Sequence, residues 1–271
     1  MSILSQADAP IAIFDSGLGG LSVARHIRAR LPHESLIYFA DCGWAPYGDR
    51  PRQDILARVC VVADWLVTQG VKSMVVACNT ATTIAIDTLR ARYDTLPIVG
   101  IEPGVKPAVA RSRSHVVGVL ATEATLRTES FQALLARQDS ACRFVCQAGR
   151  GLVALIEQGA LDTPAVDTLL QRYLDPMLAE GVDTLVLGST HFPLLIPAIE
   201  RLYGDLLALI ETGQAVAHRL HAVLDMHALL AVASEAKAVQ VRLVSSRPSP
   251  ALLVLAGRTL GTTSPLQIAL D

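Results

Sequence analysis

Short apolar runs alternate with amphipathic segments along most of this chain. IAIF (11–14), LIYFAD (36–41), residues 73–78 and PIVGIE (97–102) have the length and apolar content of buried strands. Between them, residues 20–31 and 80–92 read as helices. So does the stretch with Ile55, Leu56, Val59, Val62, Ala63 and Leu66 at helical spacing, which Gly70 brings to a stop. Strands that alternate with helices in this way predict a parallel sheet covered by helices on both faces.

The pattern then restarts. HVVGVLAT (115–122) predicts a strand, followed by a Thr-rich turn and a helix over 125–137. RFVCQA (143–148) is a strand and LVALIEQG (152–159) a short helix. Thr163 caps a helix whose first position is Pro164. TLVLGS (184–189) predicts a strand, 191–203 a helix, LALIET a strand and 214–229 a long helix. After Ala231, VQVRLVSS reads as a late strand and ALLVLAGRTLG as a last helix. FDSGLGG is echoed loosely by LATEAT, and VACNTA by LGSTHF. The expected fold class is α/β, with two pseudo-symmetric doubly wound α/β domains and mainly parallel sheets.

Composition narrows the function classes. The 271 residues are 51% hydrophobic, ample for a core in one large domain or two moderate ones. No apolar stretch reaches membrane-spanning length without interruption, so no membrane partner is expected. MSILSQADAP has neither a basic region nor an apolar signal segment, which points to the cytoplasm. A net charge of −2, with Lys and Arg dispersed, gives no electrostatic reason to expect nucleic acid. Cys42, Cys60, Cys78, Cys142 and Cys146 are odd in number and lack the paired CxxC spacing of zinc sites. Lys72, Lys106 and Lys237 have no recognisable Schiff-base setting.

The chemistry concentrates in two places. In VVACNTATT (75–83) an apolar strand ends at Cys78, and Asn79 and Thr80 open a helix. Unpaired N–H groups and the dipole at a helix start favour an anion and are expected to lower a thiol pKa. VLGSTHFP (186–193) repeats the arrangement with Ser189 at the position of Cys78. Ligands of open α/β sheets sit beyond the carboxyl ends of the strands, and Asp15, Tyr47, Cys78, Thr122, Ser189 and His191 all follow predicted strands. Singly, each has a plainer reading. Cys78 is a small packed hydrophobe, Asp15 a helix cap, His191 a first-turn histidine with a structural bond, and Glu157 a surface residue. DSGLGG lacks the GxGxxG spacing of a dinucleotide loop.

Together, FDSGLGGLSV, YFADCGWAPYGDR, VVACNTATT, VGIEPGVKPA, GVLATEATL, LVALIEQG, GSTHFP and ETGQAVA resemble the glutamate racemase family, the cofactor-independent aspartate/glutamate racemases, along nearly the whole chain. The resemblance implies two facing α/β domains with an active site at their interface for a dicarboxylic amino acid, and no pyridoxal or metal. On that basis residues 1–100 plus 211–271 are expected to form the first domain and 101–210 the second. Racemisation removes a proton from one face of the α-carbon and returns one to the other, which suits a pair of thiols acting in opposite protonation states. Carried over, Cys78 is one thiol with Asp15 near it, and Glu157 and His191 match auxiliary residues beside the second base, at Ser189. Ser16, Pro46, Tyr47, Gly48, Asn79, Thr80, Thr122, Thr125, Thr190 and His191, with Asp15, match or neighbour the substrate contacts. The implied partner is glutamate, the implied product D-glutamate for peptidoglycan, and a homodimer stays open as the assembly.

Two departures set the problem. Where the family motif reads Gly-Cys-Thr-His-Tyr, this chain has Gly-Ser-Thr-His-Phe at 188–192. A serine hydroxyl has no thiolate-like base form near neutrality, though a Ser–His pairing with His191 would be one way to activate it. QAGRG (147–151) also stands where relatives often carry a Cys-Pro turn. Three readings remain open at this level: a racemase impaired by Ser189, a non-catalytic glutamate binder with a regulatory or partner-binding role, and a one-cysteine lyase or decarboxylase.

Overall fold

The computed structural model describes residues 6–138, 141–232 and 238–270; the opening MSILS and Lys237 lie outside them. The chain divides into two compact units, Met1–Ile101 with Gly213–Asp271, and Glu102–Thr212.

The first unit begins with β1 (Ile11–Asp15), α1 (Leu21–Arg30), β2 (Leu36–Ala40), α2 (Arg52–Thr68), β3 (Ser73–Val76), α3 (Asn79–Arg92) and β4 (Ile98–Gly100). The second unit runs α4 (Val105–Arg111), β5 (Val116–Ala121), α5 (Glu123–Leu126), α6 (Glu129–Ala136), β6 (Arg143–Ala148), α7 (Leu152–Glu157), α8 (Pro164–Ala179), β7 (Thr184–Gly188), α9 (Ile196–Tyr203) and β8 (Ala208–Ile210). The chain then returns to the first unit with α10 (Gly213–Met226), β9 (Val241–Ser245), α11 (Pro250–Leu260) and β10 (Leu266–Ile268).

Strand order in the first sheet is β10-β9-β2-β1-β3-β4, and in the second β6-β5-β7-β8. Every pairing is parallel. The first four strands of each unit therefore follow one topology, in which the first strand lies between the second and third. In such a sheet the chain leaves the first strand in one direction and later crosses to its other side, so a crevice opens beyond the carboxyl ends of the first and third strands.

Side-chain alternation decides which helices cover which face. In the first unit Ile11, Ile13, Tyr38 and Val75 pack with Leu21, Ile27, Leu220 and Leu252 of α1, α10 and α11. Their neighbours Ala12, Phe14, Phe39 and Val76 pack with Val59, Leu66, Ile84 and Leu89 of α2 and α3. Strands buried on both faces read as continuous apolar runs, which is why β1, β2 and β3 stand out in the sequence. The second unit repeats the scheme. Leu120, Leu185 and Leu187 face α7, α8 and α9, while Val117, Val119 and Val186 face Val105 and Phe131 of α4 and α6.

Several elements differ from the expectation. The single helix at 125–137 is two, because Thr128 caps α6 through its hydroxyl to Phe131 N (3.3 Å) and donates to the Thr125 carbonyl (2.8 Å), competing with a continuous helix. The helix expected from 191 starts as a 3-10 turn, Phe192–Leu195, and becomes α-helical only at Ile196. Pro193 and Pro197 lack the N–H donors that an earlier α-ladder would use. Helix α4 and the short edge strand β10 were not anticipated: Pro107 interrupts the helical pattern of α4, and three residues are too few to show a period.

Candidate active site

Strand register brings the first group of residues together. Phe14 pairs with Val76 and Asp15 with Ala40, so Asp15 and Ser16 leave β1 beside Ala77 and Cys78 at the end of β3. Cys78 is the N-cap of α3, and its sulfur accepts from the Ala81 N–H at 3.5 Å. Its thiol donates to Ser16 Oγ, also at 3.5 Å. Asp15 is fully buried, and its Oδ2 takes the Gly17 N–H at 2.8 Å, which curls the DSGLGG turn back over the strand end. A side chain at Gly20 would meet Asp15 Cβ at 2.6 Å, so this turn requires glycine there.

The electrostatics reverse one expectation. Burial, and then the charge of Asp15, push the Cys78 thiol up to about 12, against lowering by its hydrogen bonds from Ala81 and Ser16. A helix start alone lowers a thiol pKa, but here enclosure and a neighbouring carboxylate outweigh it. Cys78 rests as the thiol.

Asn79 and Thr80, in the first turn of α3, are buried. Asn79 Oδ1 has no hydrogen-bond partner among the described residues. A buried amide oxygen left without a partner is costly, and a ligand donor is one way to satisfy it. Pro46, Tyr47 and Gly48 lie on the loop after β2, and Tyr47 is 1% exposed. Its hydroxyl donates to Asp41 Oδ2 at 2.6 Å, and Arg58 grips the same carboxylate with Nε (2.9 Å) and Nη2 (2.8 Å). Burial, then Asp41 and Cys78, hold the Tyr47 phenol well above its ordinary pKa. Asp41 and Arg58 were missed in the sequence. The available signal was an acidic residue directly after an apolar strand, the same signal that singled out Asp15.

The second unit assembles its group by the same topology. Ala121 of β5 pairs with Gly188 of β7, so Thr122 and Ser189 emerge side by side. A side chain at Gly188 would press on Ala121 Cβ (2.9 Å) and the Leu120 carbonyl (3.2 Å), so the strands meet there only with glycine. Thr122 caps α5 by accepting the Thr125 N–H, and the two threonine hydroxyls lie 2.9 Å apart. Thr125, Ser189, Thr190 and His191 are buried. Glu157, at the end of α7, is no surface residue: its Oε1 lies 2.6 Å from His191 Nε2. The His191 backbone N–H donates to Ser189 Oγ at 3.4 Å. Phe192 occupies the space over Gly149, where a side chain would meet its ring at 2.7 Å.

Among the described residues, no group of three or more His, Cys, Asp or Glu side chains could hold a metal ion, and no helix is long and apolar enough to cross a membrane. What the arrangement offers is acid–base chemistry: a buried thiol beside a carboxylate in one unit, and a hydroxyl beside a Glu–His pair and a threonine pair in the other.

Comparison with known proteins agrees. The model of the Asp/Glu/Hydantoin racemase family matches residues 21–240. The glutamate racemase of Ralstonia nicotianae is 56% identical over 80% of this chain and 78% of its own. That of Cupriavidus pinatubonensis is 51% identical over 93% and 92%. Among solved structures, Escherichia coli glutamate racemase in complex with L-glutamate and the activator UDP-MurNAc-Ala superposes with a TM-score of 0.84 at 32% identity, covering 96% of this chain and 98% of that one. Francisella tularensis glutamate racemase in complex with D-glutamate gives 0.83 at 26% identity, over 97% and 98%. A family match over most of the chain, relatives at this identity and a fold similar to those structures lead to one assignment: the chain belongs to the Asp/Glu/Hydantoin racemase family, among its glutamate racemases, and is an isomerase.

Proposed function

We propose that this isomerase interconverts L- and D-glutamate by proton transfer at the α-carbon without a cofactor, in the cytoplasm, and that Ser189 limits its rate. The observation that carries the reading is the switch point of the first sheet, where the Cys78 thiol is enclosed by the start of α3, Ser16 and Asp15. Cys78 is assigned to one face of the α-carbon and Ser189 to the other. Asn79 Oδ1 suits the substrate ammonium, and the N–H groups at the start of α3 suit a carboxylate. The thiol is the resting form of Cys78, so its thiolate depends on positive charge arriving with the substrate, as the α-ammonium group provides. Asp15, Glu157 and His191 are the auxiliary groups, and Ser16, Pro46, Tyr47, Gly48, Thr80, Thr122, Thr125 and Thr190 complete the binding set. The D-glutamate formed would serve peptidoglycan synthesis.

A hydroxyl at Ser189 is far too weak an acid to provide a base near neutrality. L-glutamate should therefore lose its α-proton very slowly. D-glutamate in heavy water should exchange its α-hydrogen through Cys78 with retained configuration. The test is racemisation followed by circular dichroism, in this protein and in Ser189→Cys. The expected gain is about 10²- to 10⁴-fold, the usual contribution of a positioned acid–base group. Robust turnover with Ser189 in place would make the serine a competent base. No gain from Ser189→Cys would leave a glutamate binder without catalysis.

A further inference from the structure

The Asp41–Arg58–Tyr47 cluster is more elaborate than a folded loop requires. Asp41 follows β2 directly, its N–H donates to the Asp15 carbonyl at 2.9 Å, and its side chain is wholly enclosed. A buried carboxylate is stable only when its oxygens are taken up by charged or hydroxyl donors. Here the Arg58 fork takes both oxygens, and the Tyr47 hydroxyl adds a third bond to Oδ2. The Tyr47 ring is thereby set 6.3 Å from Phe14, the residue before Asp15, with Pro46 and Gly48 on either side of it. The loop is fastened again where Arg50 Nε donates to the Trp44 carbonyl at 2.7 Å, and where the guanidiniums of Arg50 and Arg58 lie 4.6 and 5.1 Å from the Trp44 ring.

Arg58 has one more bond, and it reaches far along the chain. Its Nη2 donates to the Leu270 carbonyl at 2.7 Å. Leu270 has φ +62°, a left-handed conformation that a leucine adopts only at a cost. Strain of this kind persists where surrounding bonds over-determine it, and it is a ground for a functional hypothesis. The Ala269 N–H is held as well, by the Ser245 carbonyl at 2.9 Å, so the segment after β10 is fastened residue by residue.

We propose that Arg58 is a positioning residue for the substrate site: through Asp41 it fixes Tyr47 and the Pro46–Gly48 turn, and its bond to the Leu270 carbonyl braces the guanidinium from outside that site. Arginine is needed rather than lysine, because only a planar fork can hold both carboxylate oxygens and still donate to a carbonyl from the same group. The turn would act on substrate binding and on access to Cys78, and leave the bonds of Cys78 to Ser16 and Ala81 as they are.

The proposal takes its substrate from the glutamate reading, and its test separates the two. In the Ser189→Cys protein, Arg58→Lys and Leu270→Pro should each raise KM for D-glutamate about 10- to 100-fold, the cost of misplacing a binding group by about 1 Å, with kcat little changed. Proline forbids the positive φ at 270, whereas glycine permits it, so Leu270→Gly should leave KM and kcat unaltered. A merely structural role would instead lower kcat at constant KM by reducing the folded fraction. Alkylation of Cys78 by iodoacetamide, resolved by peptide mass, reads the same turn without substrate: it should quicken in Arg58→Lys and Leu270→Pro and stay unchanged in Leu270→Gly. Equal alkylation and equal KM across the series would overturn the proposal, as would a loss in Leu270→Gly matching that in Leu270→Pro. Altered alkylation with no glutamate turnover in any variant would uphold the positioning role and reject the substrate.

Discussion

Glu157 Oε1 and His191 Nε2 lie 2.6 Å apart, with side chains 11% and 4% exposed. A pair so enclosed fixes the imidazole orientation, and with it the backbone of His191 whose N–H reaches Ser189 Oγ. Nε2 is thus taken by the carboxylate, an arrangement that fixes the tautomer and orientation of the ring.

It follows that Glu157 matters most when a thiol stands at 189. Glu157→Gln keeps the size and the hydrogen-bonding oxygen but removes the charge. In the Ser189→Cys background it should slow racemisation about 10-fold or more, since a histidine without its orienting carboxylate loses both tautomer and charge stabilisation. In the unmodified protein the same change should have little effect on glutamate affinity. Progress curves in both directions and calorimetry test the pair; a large loss of binding would make Glu157 a substrate contact.

The charge of Asp15 raises the Cys78 pKa, second only to burial. Asp15→Asn keeps an acceptor for the Gly17 N–H and removes that charge. The thiol pKa should fall from its present value of about 12, and Cys78 alkylation at pH 9 should accelerate, since each unit of pKa is tenfold in thiolate. Peptide-resolved labelling is essential because Cys146 is exposed. An unchanged rate would leave burial as the whole cause.

Far from the site, Lys72 and Glu34 form a buried ion pair at 2.5 Å in the first unit, with side chains 0% and 3% exposed. Lys72 Nζ also donates to the carbonyls of Ala7 (2.5 Å) and Leu229 (2.7 Å), and Glu34 Oε1 accepts from Ala231 N. Lys72→Met strands the carboxylate and should cost about 3–5 kcal/mol in urea unfolding, because an unpaired buried charge is worse than none. Adding Glu34→Leu to that variant should recover much of the loss. If the double variant is as unstable as the single one, the carbonyl bonds rather than the ion pair hold this corner.

Asp183, just before β7, shows how stability in the second unit should depend on acid. Burial raises its pKa, but hydrogen bonds from the Ser112 hydroxyl (2.6 Å), the N–H groups of Ser114 and Arg113, and Thr184 outweigh it and hold it at about 2. The folded value lies below the unfolded one, so the stabilisation is present above the ordinary carboxylate range and is lost as pH falls through about 4 towards 2. Asp183→Ala should lower the thermal midpoint at pH 7, and its deficit should shrink steadily in that acid window. A deficit independent of pH would assign the effect to packing.

Sequence pattern alone was enough to locate most elements of this protein. The strands at 143–148 and 184–189 and the Thr163–Pro164 helix start are present where the residues indicate them, because short apolar runs and capping chemistry are written locally. The α/β class follows from the same alternation, and the family from the spacing of its motifs. Other features depend on residues far apart in the chain. Strand order placed Cys78 against Ser16 and Asp15, and Thr122 beside Ser189. The Cys78 pKa ran opposite to what a helix start suggests, because enclosure and a carboxylate more than sixty positions away outweigh local N–H groups. His191 proved to be engaged by Glu157, and Arg58 to join Asp41 to Leu270, through contacts that no periodicity records. Periodicity shows which side of an element is buried. What it is buried against, and therefore the charge it feels, is decided only when the chain closes on itself.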